Sequence, residues 1–165
     1  MGISIIIITA FRVERLKQCL DRLVPQLRDD DELIVVTGSH TTDEQALASR
    51  FSACRVIASD RLCMPYQRNL GIVAATKPIV AFIDDDVVVG EQWRDSVTEL
   101  YDDPTVSAVV GREILEGYEG HTTLTKPRLK WTGIRGSMQH YGGQEVCEVR
   151  GGQGCNMSFR KHVLE

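Results

Sequence analysis

The feature that most constrains the fold is an apolar run that ends on three consecutive carboxylates. Residues 78–83 have the sequence Pro-Ile-Val-Ala-Phe-Ile, and Asp84, Asp85 and Asp86 follow directly. Such a run predicts a strand buried on both faces, as in parallel sheets. Because strand side chains alternate between faces, we expect Asp84 and Asp86 on one side of the sheet and Asp85 on the other. Ligands of open α/β sheets gather at the carboxyl ends of strands, so this edge is a candidate site.

The aspartate triplet has three interpretations. It could be a solvated turn, because Asp is common where strands end. It could be an acidic pocket that accepts a phosphoryl group, but such receivers need an acidic pair after the first strand and a lysine late in the sheet, and neither occurs. It could hold a hard divalent cation, which prefers oxygen ligands. The apolar run resumes as Val87-Val88-Val89, which a surface turn does not need, and this favours a fixed carboxylate cluster.

Length and composition narrow the class of protein. The chain has 165 residues and a formal net charge of −4, which predicts one domain and disfavours a nucleic-acid partner. No apolar run approaches the roughly 18 residues that span a bilayer, so we expect no transmembrane segment. Five cysteines without Cys-x-x-Cys spacing argue against a zinc or disulfide framework and indicate a reducing compartment, hence a cytoplasmic location.

Apolar and amphipathic segments alternate along the first 110 residues. The predicted strands are 3–9, 32–37, 55–58, 78–83 and 106–111, and the predicted helices are 14–24, 42–51, 65–76 and 92–101. This alternation predicts an α/β fold with parallel strands and helices on both faces. Residues 116–154 are instead rich in Gly, with Lys126, Arg128, Lys130 and Arg135 around Trp131. That segment is either a solvated loop or a flap over an anionic ligand.

Four segments, in consistent order, resemble one protein family. They are 4–16 (Ser-Ile-Ile-Ile-Ile-Thr-Ala-Phe-Arg with Glu-Arg-Leu after it), 68–71 (Arg-Asn-Leu-Gly), 82–86 (Phe-Ile-Asp-Asp-Asp) and 151–161 (Gly-Gly, then Asn-Met-Ser-Phe-Arg-Lys). Together they resemble the nucleotide-sugar glycosyltransferases of the GT-A fold, family two. The resemblance implies a single domain over 1–165 with a mainly parallel sheet flanked by helices. Residues 1–111 would form the nucleotide-sugar-binding half and 112–165 an incomplete, Gly-rich acceptor-side half.

The resemblance also implies a reaction and a set of site residues. The reaction is metal-dependent, inverting transfer of a sugar from a UDP- or GDP-linked donor to a saccharide or lipid-linked acceptor. Asp84 and Asp86 would hold Mg²⁺ or Mn²⁺. The residues implied for the nucleotide sugar are Thr9, Ala10, Phe11, Arg12, Thr37, Arg68, Asp84 and Asp85, and those implied for the acceptor side are Gly151, Gly152 and Asn156.

Two departures from the family pattern leave an alternative open. The loop after the second strand has Thr37 where the family has a base-contacting aspartate, and no aspartate follows Asp103. We therefore expect the general base beyond Glu165, in a longer protein that could associate peripherally with a membrane. The alternative is a non-catalytic module that binds a nucleotide or a partner. A nucleotidyltransferase is disfavoured, because residues 9–12 lack the Gly-rich, basic loop of that class.

Overall fold

The computed structural model describes residues 1–38, 41–52, 54–114, 146 and 152–165. Within these ranges six strands form one sheet. They are β1 (Ile3–Thr9), β2 (Glu32–Gly38), β3 (Cys54–Ser59), β4 (Ile79–Asp84), β5 (Ala108–Val110) and β6 (Asn156–Arg160). The α-helices of the same ranges are α1 (Val13–Leu23), α2 (Thr42–Ala48), α3 (Met64–Ala74) and α4 (Trp93–Leu100), and short 3-10 helices cover Val24–Gln26 and Lys161–Val163. None of the helices described has the length and apolar character that crossing a bilayer requires.

The sheet is mainly parallel, as the alternation of strands and helices predicted. Its strand order is β3-β2-β1-β4-β6-β5, and β1 pairs in parallel with both β2 and β4. The carboxyl ends of these strands share one edge, where Thr9 lies opposite Thr37 and Ile8 opposite Asp84. The central position of β4 therefore brings the aspartate triplet next to the loop that follows β1.

Strand β6 is absent from the predicted strands and changes the far side of the sheet. It lies between β4 and β5 and runs antiparallel to both. Its five residues alternate polar and apolar, which is the pattern of a half-buried strand, but it follows β5 only after a long segment of chain. Nothing in the sequence therefore indicates that β6, rather than β5, pairs with β4.

Helices cover both faces of the sheet. On one face, the predicted spacing of the leucines in α1 accounts for how this helix packs. Leu16, Leu20 and Leu23 of α1 are fully buried against the strands, and fully burying such a side chain contributes about 1.5–3 kcal/mol. The opposite face carries Ile6, Phe82 and their neighbours, which pack against α3 and β6. The predicted helix boundaries are close to the observed ones, except that α2 ends at Ala48.

The height of α3 over the sheet depends on one glycine. A Cβ atom at Gly71 would lie 2.5 Å from Cγ2 of Ile6 on β1, so only glycine lets the helix backbone approach the strand this closely. Arg68 lies about one turn earlier, toward the carboxyl edge of the sheet. The close packing of Gly71 in the Arg-Asn-Leu-Gly segment therefore fixes the backbone position from which the Arg68 side chain extends.

Candidate functional site

The site begins where β4 ends. Asp84 is the last residue of β4, and the next two aspartates lie in a turn that the Val87 N–H closes by donating to the Asp84 carbonyl (3.1 Å). The period-two alternation therefore stops at Asp84. We expected Asp84 and Asp86 on one side, but the structure pairs Asp86 with Asp85 on a shared arginine, and Asp84 with a different one.

Asp85 is the buried member of the triplet. The hydroxyl of Thr9 donates to its Oδ2 at 2.6 Å, and Nη1 of Arg12 donates to its Oδ1 at 3.2 Å. Burial raises the pKa of Asp85, while the contacts from Thr9 and Arg12 partly offset that rise. The family resemblance implied Thr9 and Asp85 for the donor side, but nothing in the sequence indicated that the two side chains touch.

Arg12 connects the loop after β1 to two of the three aspartates. The same Nη1 atom lies 3.2 Å from Asp85 Oδ1 and 3.2 Å from Asp86 Oδ2. Both carboxylates, Asp85 first, raise the pKa of Arg12. The backbone N–H of Arg12 donates to Oε1 of Glu44 at 2.7 Å, and this glutamate is almost fully buried. Glu44 was missed from the sequence, where its only signal is an acid in the first turn of α2.

The loop between β1 and α1 is bent sharply before it reaches Arg12. Phe11 has φ of 60°, in the left-handed region that costs a residue with a side chain roughly 1–2 kcal/mol, and the residue is 70% exposed. Ala10 is half-buried beside it. This loop and the start of α2 line a cleft of about 490 Å³, whose lining residues are Phe11, Arg12, Val13, Glu14, Arg15, Thr41, Thr42, Asp43 and Glu44.

Arg68 takes the remaining aspartate. Its Nη2 lies 3.0 Å from Asp84 Oδ1 and donates more weakly to the Gly154 carbonyl at 3.4 Å. The guanidinium also lies over the ring of Phe82, 5.9 Å from its centroid. The backbone N–H of Asp84 donates to the Cys155 carbonyl at 3.2 Å. The start of the C-terminal segment is thus attached directly to the aspartate triplet.

Among the residues described, the other predicted site residues make no side-chain hydrogen bond to the three aspartates. Thr37 is fully buried, and its hydroxyl has no hydrogen-bond partner among the residues described. Asn156 accepts a hydrogen bond from Nε1 of Trp93 at 2.9 Å. Gly152 packs so closely against Val110 that a side chain would not fit. Gly151 lies outside the described residues, as do the cationic residues around position 131.

Cys19 lies directly beneath the site and does not take part in its chemistry. Its Sγ is 3.8 Å from the Asp84 carbonyl, and burial raises the pKa of the thiol to about 12. A thiol in this state is not a nucleophile at neutral pH. Cys19, Cys54, Cys63 and Cys155 are free thiols in the structure, and Cys147 lies outside the residues described.

The sequence profile of the family described as "Glycosyl transferase family 2" matches residues 4–165. The chain belongs to this family. Its match to the family includes the loop of Arg12, the Arg68 helix, the aspartate triplet and β6.

A curated relative and three solved structures are similar to this family 2 chain. Glucosyl-dolichyl phosphate glucuronosyltransferase of Haloferax volcanii is 21% identical over 171 aligned positions, which cover 99% of this chain and 54% of the relative. The chain therefore spans about half the length of that relative.

Among solved structures, mannosyltransferase PcManGT from Pyrobaculum calidifontis, in complex with GDP-Man and Mn²⁺, has a TM-score of 0.70 at 17% identity over 98% of this chain and 45% of its own. S. aureus TarS 1-349 has a TM-score of 0.64 at 15% identity over 99% and 48%. Glucosyl-3-phosphoglycerate synthase from Mycobacterium tuberculosis, with Mn²⁺, UDP and glucosyl-3-phosphoglycerate, has a TM-score of 0.57 at 22% identity over 66% and 43%. At these identities the likeness shows the fold, which is the GT-A fold.

Proposed function

We propose that this chain is the donor-binding part of a metal-dependent, inverting glycosyltransferase. It would take a sugar from a UDP- or GDP-linked donor and pass it to a saccharide or lipid-linked acceptor. Family membership supports the class of reaction, and two solved structures of the same fold carry Mn²⁺ together with GDP-Man or UDP. The observation that carries the proposal is the convergence of two carboxylates, Asp85 and Asp86, on a single cationic nitrogen.

The donor set fits a divalent ion of the Mg²⁺ or Mn²⁺ type. Within the described ranges no three His, Cys, Asp or Glu side chains converge on one point. Mg²⁺ does not need such a cage, because it keeps several waters and takes only one or two protein carboxylates together with substrate phosphates. Asp86 is half exposed and Asp85 lies beside it. This pair, with Asp84 next to it on β4, would hold the ion.

The chain's own residues would position the leaving group. A bound divalent ion would neutralise the negative charge that develops on the departing nucleoside diphosphate. Thr9 fixes the orientation of Asp85 through its 2.6 Å hydrogen bond, and Arg68 fixes Asp84. Against the two arginines, the three aspartates leave a formal excess of one negative charge, which suits a cation.

The donor and acceptor would approach this edge from different sides. The bent loop of Ala10 and Phe11, with Arg12, would border the nucleotide, and Thr37, which is buried near the end of β2, would lie beneath its base. Gly151, Gly152 and Asn156 would lie toward the acceptor, since β6 joins β4 beside Asp84.

Thermal unfolding with nucleotides tests the proposal. The protein is melted with UDP, GDP or their sugar conjugates, with Mn²⁺ and with a chelator. A ligand at about 100 times its Kd stabilises by about 2.7 kcal/mol, so we expect a rise in Tm that requires both nucleotide and metal. D86N should lose this rise. D21N is the matched control, because Asp21 is also half exposed and paired with one cation, and it should keep the rise.

Release of nucleoside diphosphate in the presence of acceptors distinguishes the two functions. Sugar transfer or donor hydrolysis by this chain would eliminate the non-catalytic module, whereas metal-dependent binding without either is expected both of that module and of a donor-binding part whose general base lies elsewhere. If the Tm of a well-folded sample does not change with any combination of nucleotide and metal, both proposed functions are wrong.

A further inference from the structure

The position that a divalent ion would take is already occupied by a side chain. Nη1 of Arg12 lies 3.2 Å from one oxygen of Asp85 and 3.2 Å from one oxygen of Asp86. A Mg²⁺-type ion binds carboxylate oxygens at about 2.1 Å. An ion shared by these two oxygens would therefore have to replace that nitrogen, since two cations do not fit between the same carboxylates.

The backbone of Arg12 is fixed, but its guanidinium is not enclosed. Its backbone N–H is held by the buried Glu44, and Phe11 before it has a restricted left-handed conformation. The Arg12 side chain is 55% exposed and the Asp86 side chain 48% exposed. The guanidinium can therefore leave the aspartates by side-chain rotation alone, without moving β1 or α2.

We propose that Arg12 is a displaceable counter-cation, which occupies the divalent-ion position between Asp85 and Asp86 until metal and nucleotide arrive. This inference rests on the proposed function, since it assigns a regulator to the same site. Arg12 lowers the affinity of the empty site for metal, and so prevents a tightly bound ion in the absence of donor. Once displaced, the guanidinium lies at the mouth of the site, where it pairs with the donor's diphosphate oxygens, a geometry that arginine suits.

The proposal predicts opposite effects of one substitution on two ligands. Replacing Arg12 removes the competitor, so the metal binds more tightly on its own. The guanidinium is half exposed and so is its partner Asp86, and exposed ion pairs are individually weak, so the gain should be modest, roughly 3- to 30-fold in Kd. The same substitution removes a phosphate partner, so the nucleoside diphosphate should bind several-fold more weakly in the presence of saturating metal. A residue with a purely structural role would weaken both.

Mn²⁺ titration of the whole chain, followed by electron paramagnetic resonance of free Mn²⁺, tests this. The variants are R12Q, R12K, D86N and the control R28Q. Arg28 is comparably exposed, at 59%, and pairs with Asp95 on a different part of the surface. Without nucleotide, R12Q should bind Mn²⁺ more tightly than the unmodified protein. R12K should have nearly the same Mn²⁺ affinity as the unmodified protein because it keeps the charge, and R28Q should not change that affinity. D86N should lose Mn²⁺ binding. Circular dichroism and the urea midpoint establish that each variant is folded.

Two outcomes overturn the inference, and they are distinguishable. If R12Q binds Mn²⁺ no more tightly than the unmodified protein, while D86N abolishes metal binding with UDP or GDP present, Arg12 is not the competitor and the proposed function survives. If no folded variant binds Mn²⁺ with or without UDP or GDP, the metal site itself is wrong and both proposals fail.

Discussion

Nη2 of Arg68 lies 3.0 Å from Oδ1 of Asp84, and it is a different arginine from the one that holds the other two aspartates. The three aspartates therefore have two different arginine partners. Arg68 on α3 pairs with Asp84, and Arg12, which lies just before α1, pairs with Asp85 and Asp86. Each carboxylate has a charged partner, and each partner comes from a separate loop or helix at the edge of the sheet. This division makes the contributions of the aspartates separable by mutation.

Replacing Arg68 should damage donor use more than folding. R68A leaves Asp84 without its cation and removes the contact to the Gly154 carbonyl. We expect the Kd for the nucleotide in the presence of metal to rise by roughly 10- to 100-fold, because each factor of ten corresponds to about 1.4 kcal/mol of lost binding free energy. The pair is part-exposed, so the loss of folding free energy should stay within about 1 kcal/mol. Calorimetric titration and urea unfolding measure the two, and an R68A protein that fails to bind because it is unfolded would contradict this separation.

The buried Asp85 carboxylate should lower the free energy of unfolding at neutral pH. Burial raises its pKa above that of the unfolded chain. Asp85 therefore contributes to stability at pH values below its pKa in the unfolded chain, where it is protonated. That contribution is lost as the pH rises through its pKa in the folded protein. D85N removes the buried charge at nearly constant volume, so at pH 7 we expect unchanged or increased unfolding free energy together with lost metal-dependent nucleotide binding. Urea unfolding at pH 7 and pH 4 checks this, and a D85N protein more than about 1 kcal/mol less stable at pH 7 would refute it.

At the opposite edge of the sheet, Asp31 and Arg94 should contribute strongly to stability. Both side chains are buried, and Nη2 of Arg94 lies 2.8 Å from Asp31 Oδ1. Breaking a buried ion pair from one side costs about 3–5 kcal/mol, and we expect D31N near the low end because Asp95 also contacts Arg94. D30N removes a carboxylate that is 57% exposed and 3.6 Å away, so this matched control should cost under about 1 kcal/mol.

The same aspartate predicts a pH dependence of opposite sign to that of Asp85. Burial alone would raise the pKa of Asp31, but hydrogen bonds from Arg94, Arg28 and Ile3 outweigh it and lower the pKa. Its stabilisation is therefore present above the unfolded pKa and lost as pH falls through the folded one. The unmodified protein should lose more stability than D31N between pH 6 and pH 3. Parallel urea midpoints of the two proteins across that range would contradict the assignment.

Gly71 should be intolerant of even one methyl group. In G71A the new Cβ would meet Ile6, and overpacking of this kind costs about 1–3 kcal/mol, against the gain of up to about 1 kcal/mol in helix propensity. We expect net destabilisation and weaker donor binding, because α3 carries Arg68. G90A is the control, since nothing lies within 4 Å of a Cβ there. Equal urea midpoints for G71A and G90A would show that α3 can shift without cost.

The sequence predicts what lies close along the chain and fails where distant segments meet. The apolar run before Asp84 and the leucines of α1 carry their own periodicity, so the parallel half of the sheet and its carboxyl edge are predictable. The pairing of Arg12 with Asp85 and Asp86, which are more than 70 residues away, has no local signal. Glu44 was missed for the same reason, since a first-turn acid is ordinarily a solvated helix residue. Extending strand alternation past Asp84 was an error because the chain turns there.

The placement of β6 has a consequence for how the chain is made. Strand β5 touches the rest of the sheet only through β6, which is synthesised last among the described strands. A nascent chain that has emerged as far as β5 therefore leaves the hydrogen-bonding edge of β4 open, with Phe82 awaiting Phe159. Open strand edges of this kind invite pairing with other chains, so the β4 edge stays available for such pairing until β6 has been synthesised.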